Sequence, residues 1–169
     1  TSKREEDFAE KNISITDAFT FYADFRKIGS FNNRGSYFFK LGNVSDSDYI
    51  LFYSALGRGR IVYKVNGGVN TIQLSNTQYP NIDDANFLMK LAFSSDGIST
   101  KVFINGLHAA SGTGTSTPID IAGLNTNLFT KLTFKASDSP FGAFRSKIKE
   151  IGFVDQNYSD SSIKNYTQI

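Results

Sequence analysis

The chain has 169 residues, with 18 lysines and arginines against 16 aspartates and glutamates, a formal net charge of +2, no cysteine and one histidine. The cysteine and histidine counts exclude a disulfide scaffold, a thiolate metal site and a multi-histidine metal site. The basic residues are scattered along the sequence, which argues against a nucleic-acid partner, and no apolar run approaches the ~20 residues of a membrane span.

The length predicts one domain. The first twelve residues are charged and lack the apolar core of a signal peptide, so we predict a lead-in segment at 1–12 and a folded domain at 13–169. The absent initiator methionine predicts that the chain is a piece of something longer.

Apolar and polar residues alternate from Phe19 to Arg26, which predicts a strand with Tyr22 and Asp24 facing away from the core. Tyr49 to Ala55 is apolar on both faces, which is typical of a central strand. Turn residues separate the remaining extended segments, and further strands are predicted at 37–41, 60–65, 69–74 and 128–135.

The segment from Phe87 to Gly112 predicts two consecutive β-hairpins, with turns at Asp96-Gly97 and Asn105-Gly106. Tight two-residue turns would pair Leu91 with Val102 and Ile104 with Leu107. One face of this meander is predicted to be buried, and it comprises Phe87, Met89, Leu91, Phe93, Val102, Ile104, Leu107 and Ala109.

The last long strand is predicted at Arg145 to Val154, where a β-bulge near Lys149-Glu150 would turn both Ile148 and Ile151 towards the core. Ser159 is predicted to cap one short C-terminal helical turn. About a dozen short strands predict an all-β sandwich or barrel, and facing Phe-rich surfaces favour a two-sheet antiparallel β-sandwich.

Three segments, in order, resemble motifs of laminin-G-like domains. Phe19 to Gly29 (FTFYADFRKIG) resembles the "fTisawvkp" strand, Phe87 to Gly106 resembles the "hvAvtydg…klYvNG" core, and Phe144 to Gln168 resembles the "f.G.IdeVriynraLsdeEI..ly" ending. The resemblance implies a concanavalin A-like jelly roll. The sequence departs from the family near Phe87, where a Trp is usual, and at Ser146, where a Gly is usual.

The charged lead-in before an aromatic first strand also resembles domains at the ends of phage tail or head fibres. This second resemblance implies a virion or extracellular location, a homo-oligomer formed through a longer fibre, and host attachment through a cell-surface polysaccharide or glycan.

The carboxylates do not form the pattern of a glycosidase, which needs an acid paired with a base or nucleophile around the scissile bond. No E-x-D-x-E motif is present. The chain has four glutamates, of which Glu5, Glu6 and Glu10 lie in the lead-in and Glu150 lies near the C-terminus. We therefore predict that the chain is not an enzyme. A glycoside hydrolase that pairs Asp24 with Asp46 or Asp48 is the alternative. A Ser-His-Asp site would need His108, which is predicted to be a surface neighbour of Phe103.

Sugar sites combine an aromatic platform with a few hydrogen-bonding groups. The residues predicted to bind a ligand on this ground are Tyr22, Asp24, Asn32, Arg34, Tyr53, Arg58 and Arg60. Tyr63 and Asn66 belong to the same candidate group, because they lie with Tyr53, Arg58 and Arg60 on adjacent predicted strands and their turn. The alternative is that Tyr53 and Tyr63 belong to the core and that the loop with Asn32 is only solvated.

The laminin-G resemblance also implies Ca²⁺ at loop tips, since carboxylate and carbonyl oxygens suit a hard cation. Asp46 and Asp48 are the predicted ligands, with Asp83-Asp84 as a second pair. Solvated acidic turns are the alternative for both pairs.

Two function hypotheses follow. The first is a recognition module of modest affinity whose avidity comes from repeated copies. The second is a structural domain that decorates or oligomerises a virion or fibre through protein contacts, because a fold does not fix a function.

Overall fold

A computed structural model of the chain describes residues 9–15, 17–27, 36–43, 45, 47–55, 58–80, 82, 86–112, 117–134 and 146–169. In these ranges the strands, in chain order, are β1 (Ala9–Asn12), β2 (Phe19–Lys27), β3 (Ser36–Gly42), β4 (Tyr49–Ala55), β5 (Arg58–Val65), β6 (Gly68–Gln73), β7 (Leu88–Ser95), β8 (Ser99–Ile104), β9 (Leu107–His108), β10 (Ala110–Ser111), β11 (Thr117–Pro118), β12 (Asp120–Ala122), β13 (Lys131–Phe134) and β14 (Ser146–Val154). A 3₁₀ turn spans Thr126–Leu128, and helix α1 spans Asp160–Thr167.

The strands form two antiparallel sheets. Sheet A has the order β1-β13-β3-β4-β5-β6, and sheet B has the order β12-β8-β7-β2-β14, with β9 paired to β8. β10 and β11 form a separate two-stranded pair. The predicted two-sheet antiparallel β-sandwich with a C-terminal helix is confirmed.

The core lies between the two sheets and is rich in phenylalanine. Phe21 and Phe93 of sheet B both pack on Phe39 of sheet A, with ring centroids 4.4 and 5.4 Å apart. Each is fully buried, as is Phe52. Because alternate residues of a strand point to opposite faces, this packing turns Tyr22 and Asp24 of β2 to the outer face of sheet B.

The second predicted hairpin is confirmed and the first has a different register. Ile104 pairs with Leu107 around Asn105-Gly106, whose φ angles are 51° and 78°. The first hairpin instead pairs Leu91 with Ile104. A shift of two residues keeps every side chain on its predicted face, since the side-chain period is two.

Several predicted burials are wrong at the ends and edges of elements. Leu107 is 48 % exposed and Ile148 is 49 % exposed. The predicted bulge is present between Ile148 and Glu150, but β14 is the edge strand of sheet B and leaves Ile148 at the margin of the core. Leu128 belongs to the 3₁₀ turn, so the strand predicted at 128–135 begins only at Lys131.

Part of the predicted lead-in belongs to a sheet, because β1 pairs with β13. The domain boundary at residue 12 stays a prediction. Helix α1 has eight residues, and none of the helices in the described ranges has the length and apolar character that a membrane crossing requires.

Candidate functional site

A pocket of about 200 Å³ lies between the outer face of sheet B and helix α1. We call it the tyrosine pocket, and it is lined by Thr20, Tyr22, Ala92, Val154, Tyr158, Ile163 and Tyr166. Its surface is mostly apolar, and three aromatic rings form its walls. Ligand sites commonly combine such apolar walls with a few polar groups.

Small residues on the strands make room for the tyrosine rings. Tyr22 pairs with Gly152 on β14 and with Ala92 on β7. A Cβ atom at Gly152 would overlap the ring carbon Cζ and the hydroxyl oxygen of Tyr22. The Tyr22 ring therefore lies directly over the backbone of Gly152, in a space that only glycine leaves open.

Helix α1 forms the outer wall because several contacts fix it on sheet B. Ser159 caps the helix, accepting a hydrogen bond from the amide of Ser162, as predicted. Ile163 is buried against Ala92 and Phe103. The first turn is held by Lys101, whose Nζ lies 3.0 Å from both carboxylate oxygens of Asp160.

The segment before the helix is also fixed, and it carries Tyr158. Thr20 Oγ1 donates to the carbonyl of Gln156 at 2.9 Å and accepts from the amide of Tyr158 at 3.2 Å. Ser94 Oγ donates to Asn157 Oδ1. Thr20 and Ser94 are buried, so these hydrogen bonds hold residues 156–158 against sheet B.

Polar groups meet around the hydroxyls of two of the tyrosines that line the pocket, Tyr22 and Tyr166. The Tyr22 and Tyr166 rings are 4.4 Å apart, and Tyr22 Oη donates to Glu150 Oε1 at 3.3 Å. Burial of its hydroxyl, with hydrogen bonds to Tyr22 and Glu150, raises the pKa of Tyr166 above its usual value. Tyr166 is therefore a neutral phenol at physiological pH, able to donate or accept a hydrogen bond.

The predicted ligand residues fall into two groups on different sheets. Tyr22 lines the tyrosine pocket, and Asp24 lies beside it on β2, 3.4 Å from Lys149 Nζ. Tyr53 pairs with Arg60 in sheet A, and Arg58 lies at the start of the same strand as Arg60. Because β2 belongs to sheet B, the structure does not bring Tyr22 and Asp24 to the Tyr53 group.

The remaining predictions differ in outcome. Tyr63 packs against the core, in agreement with the structural alternative, whereas Tyr53 lies outside the core cluster and is only half-buried. The predicted residues outside the described ranges are Asn32, Arg34, Asp46, Asp83 and Asp84. His108 lies opposite Phe103, stacked at 5.0 Å, as predicted.

Asp48 is 2 % exposed and holds two loops together. Its Oδ1 accepts from the Asn66 amide at 3.2 Å and from Asn125 Nδ2 at 3.1 Å, and its Oδ2 accepts from Ser47 Oγ at 2.8 Å. Burial opposes ionisation, but these hydrogen bonds outweigh it and hold the pKa of Asp48 below its usual value.

These donors supply hydrogen bonds to both carboxylate oxygens of Asp48 without a metal ion. Within the described ranges, no three His, Cys, Asp or Glu side chains come together as a metal site would require. Calcium binding at Asp46 and Asp48 stays a prediction.

Sequence reasoning missed Tyr158, Tyr166 and Gly152. Tyr166 follows Ile163 by three residues and so shares its helix face, which was a usable signal. The contact between Tyr22 and the helix has no local sequence signal, because it depends on where α1 docks.

The sandwich is similar to solved structures of other proteins. The binding domain of botulinum neurotoxin serotype D matches 95 % of this chain with a TM-score of 0.67 and 10 % identity. The binding domain of botulinum neurotoxin DC, solved with rat synaptotagmin II, matches 89 % with a TM-score of 0.66 and 15 % identity. The chain spans only 40 % and 35 % of those two domains.

A smaller protein matches over almost its whole length. Sheep galectin-11, solved with glycerol, has a TM-score of 0.54 and 12 % identity, and the match covers 86 % of this chain and 96 % of the galectin. No protein-family model and no curated protein sequence matches this chain. Identities this low show the fold alone, which is the predicted lectin-like jelly-roll sandwich.

Proposed function

We propose that this domain is a non-catalytic recognition module that binds a cell-surface glycan, with one sugar unit seated in the tyrosine pocket. The observation that carries the proposal is a cavity of about 200 Å³ walled by Tyr22, Tyr158 and Tyr166. Tyrosine rings present an apolar face to a sugar ring while their hydroxyls stay available for hydrogen bonds.

The hydroxyl groups of the lining tyrosines support a sugar over a purely apolar ligand. Glu150 accepts from Tyr22 and also hydrogen-bonds with Tyr166, so its carboxylate lies beside two of the tyrosines that line the pocket. A carboxylate with neighbouring phenol groups can accept and donate hydrogen bonds to vicinal hydroxyls.

The structural neighbours support a binding role by analogy of fold. The two neurotoxin structures are described as binding domains, one of them in complex with a protein, rat synaptotagmin II. We extend the analogy to this chain as a proposal only, since the same fold serves many functions.

We further propose that the domain lies at the end of a multimeric fibre, on a virion or another extracellular assembly, and serves host attachment. A pocket for one sugar unit has modest affinity, and repeated copies would raise the avidity. In this proposal the domain has no catalytic role. Two contacts support this part of the proposal: Asp24 lies beside Lys149 in sheet B, and the Asp48 carboxylate accepts a hydrogen bond from Ser47 next to sheet A.

The test is a glycan array probed with a multimerised form of the domain, followed by titration of a neutral glycan that binds. The Tyr166→Ala variant should lose binding by tenfold or more, whereas Tyr53→Ala, a matched control on sheet A, should keep it. Loss in Tyr53→Ala with retention in Tyr166→Ala would overturn the pocket assignment. Silence across the whole array would favour the structural hypothesis, in which the domain contacts protein.

A further inference from the structure

Strand β6 is an open edge of sheet A. Among the described strands it ends the order β1-β13-β3-β4-β5-β6, and β5 is its neighbour on one side only. Residues 68–71 are exposed, and Val69 is 60 % exposed although its side chain is apolar. An exposed edge strand presents unpaired backbone donors and acceptors, which can pair with a strand of another chain.

The hydrogen bonds around the β5–β6 hairpin show which backbone groups point to the open side. The amide of Leu74 donates to the Gly59 carbonyl at 3.0 Å, so the hydrogen-bonded pairs with β5 fall on the even-numbered residues of β6. The Gln73 carbonyl accepts instead from the Gly112 amide at 3.4 Å, on the far side of the strand. The odd-numbered residues therefore direct their N–H and C=O groups away from β5.

Val69 and Thr71 form a self-complementary unit on this open side. Neither has a backbone hydrogen-bond partner there among the residues that the structure describes. In an antiparallel pairing that sets Asn70 opposite Asn70 of a second copy, Val69 of each chain lies opposite Thr71 of the other. These two pairs exchange four backbone hydrogen bonds, and the arrangement has the two-fold symmetry of a closed dimer.

The side chains of β6 permit this approach. The strand, GVNTIQ, has no charged residue, so the pairing places no like charges opposite each other. Gly68 would lie opposite Ile72 of the second copy. A Cβ at Gly68 would meet only the Val65 carbonyl oxygen, at 3.4 Å, so the space beside this glycine is available to the isoleucine.

The strands at the other ends of the two sheets carry features that oppose such pairing. Strand β1 contains Glu10 and Lys11, and β12 is three residues long and begins with Asp120. Strand β14 has charged residues and a bulge between Ile148 and Glu150. Charges, bulges and shortness are the means by which proteins protect sheet edges, and the six residues of β6 have neither a charge nor a bulge.

We infer that β6 is a dimer interface, through which a second copy of this chain joins its six-stranded sheet A to the first and forms one layer of twelve strands. The two-fold axis passes beside Asn70 and is perpendicular to the sheet, as in any antiparallel pair. Both copies therefore turn the outer face of sheet B, with the tyrosine pocket, in the same direction.

This dimer goes beyond the proposed glycan binding and does not depend on it. One pair of strands buries a small area, so the dimer should be weak and should form only at high chain concentration. Two pockets that face the same way would then bind a glycan-bearing surface together.

Sedimentation velocity of the whole chain, from about 10 μM to about 1 mM, covers the range in which weak interfaces assemble. We expect the weight-average mass to rise with concentration towards that of two chains. Asn70→Lys and Asn70→Glu each place like charges opposite one another at the axis, and each should weaken association about fivefold or more.

A mixture of the two variants separates an interface effect from a folding defect. Lysine then faces glutamate across the axis, so an equimolar mixture of Asn70→Lys and Asn70→Glu should recover association that neither variant shows alone. Asn165→Lys is the matched control, because it makes the same substitution at an exposed position of α1, and it should associate as the unmodified chain does.

Four results would overturn the inference. They are the mass of one chain at every concentration, undiminished association of Asn70→Lys, equal weakening by Asn165→Lys, and no recovery in the mixture. Tyr166→Ala should associate normally, so failure of the dimer is distinguishable from failure of the tyrosine pocket.

Discussion

Replacing Gly152 by alanine perturbs the tyrosine pocket without removing any side chain. The new Cβ would occupy the position of Tyr22 Cζ and Oη, so the Tyr22 ring must move away. Gly152 is not in the left-handed region, so its backbone accepts alanine. The predicted effect is therefore local to the contacts of Tyr22.

The expected cost follows from those contacts. The Tyr22 ring would lose its pairing with Tyr166, worth about 0.5–1.5 kcal/mol, and its hydrogen bond to Glu150, worth about 0.5–1.5 kcal/mol. A strained Tyr22 rotamer would add about 0.5–1.5 kcal/mol to this cost. Alanine also restricts the unfolded chain, which stabilises the folded state by about 0.4–1 kcal/mol and offsets part of the cost. The net destabilisation is about 0.5–4 kcal/mol, or a fall in Tm of about 2–12 °C at about 3 °C per kcal/mol for a chain of this length.

Urea unfolding and thermal melts measure the change, with Gly68→Ala as the matched control. A Cβ at Gly68 would meet only the Val65 carbonyl, at 3.4 Å, so this variant should stay within about 0.5 kcal/mol of the unmodified chain. The binding assay on a neutral glycan should show weaker binding for Gly152→Ala and no change for Gly68→Ala.

A double-mutant cycle identifies the cause. In a Tyr22→Ala background the ring that would clash with the new Cβ is absent, so Gly152→Ala should cause no further loss of stability. An equal cost of Gly152→Ala with and without the Tyr22 side chain would refute the proposed contact.

Three further predictions concern the helix, the buried carboxylate and the predicted metal. Ser159→Ala should destabilise the chain by about 1 kcal/mol through loss of the helix cap and should speed hydrogen exchange in α1. Ser159→Asp should retain the cap, and unchanged exchange in Ser159→Ala would contradict the capping role. Asp48→Asn should cost about 1–3 kcal/mol at pH 7, since its hydrogen bonds favour the carboxylate. Because the folded pKa of Asp48 lies below the unfolded value of about 3.9, this difference should shrink as the pH falls below about 4, and an equal difference in urea unfolding at pH 7 and pH 3 would refute it. If Asp46 and Asp48 bind Ca²⁺, about 1 mM CaCl₂ should raise Tm above its value in chelator and Asp46→Asn should abolish the rise; equal values would count against the site.

Local sequence signals predicted the fold where turn chemistry and alternation agreed. Asn105-Gly106 gave the correct register because both residues adopt positive φ in a two-residue turn. The first hairpin turns one residue later than predicted. The Asp96 amide donates to the Ser99 carbonyl and the Asp96 carboxylate accepts from the amides of Ile98 and Ser99, so Gly97 and Ile98 are the central residues of the turn.

The site was only half predictable, for a different reason. The alternation of residues in β2 correctly predicts that Tyr22 faces outward. Nothing in that strand indicates that α1 docks over Tyr22. The docking depends on Ile163 packing against Phe103, residues 60 positions apart in the sequence.

Binding in the tyrosine pocket can be observed in an NMR titration of the tyrosine-ring resonances with a neutral glycan identified on the array. We expect shifts at Tyr22, Tyr158 and Tyr166, with the buried Tyr79 unchanged. Shifts confined to Tyr49 and Tyr53 of sheet A, with the three pocket rings unaffected at saturation, would contradict it.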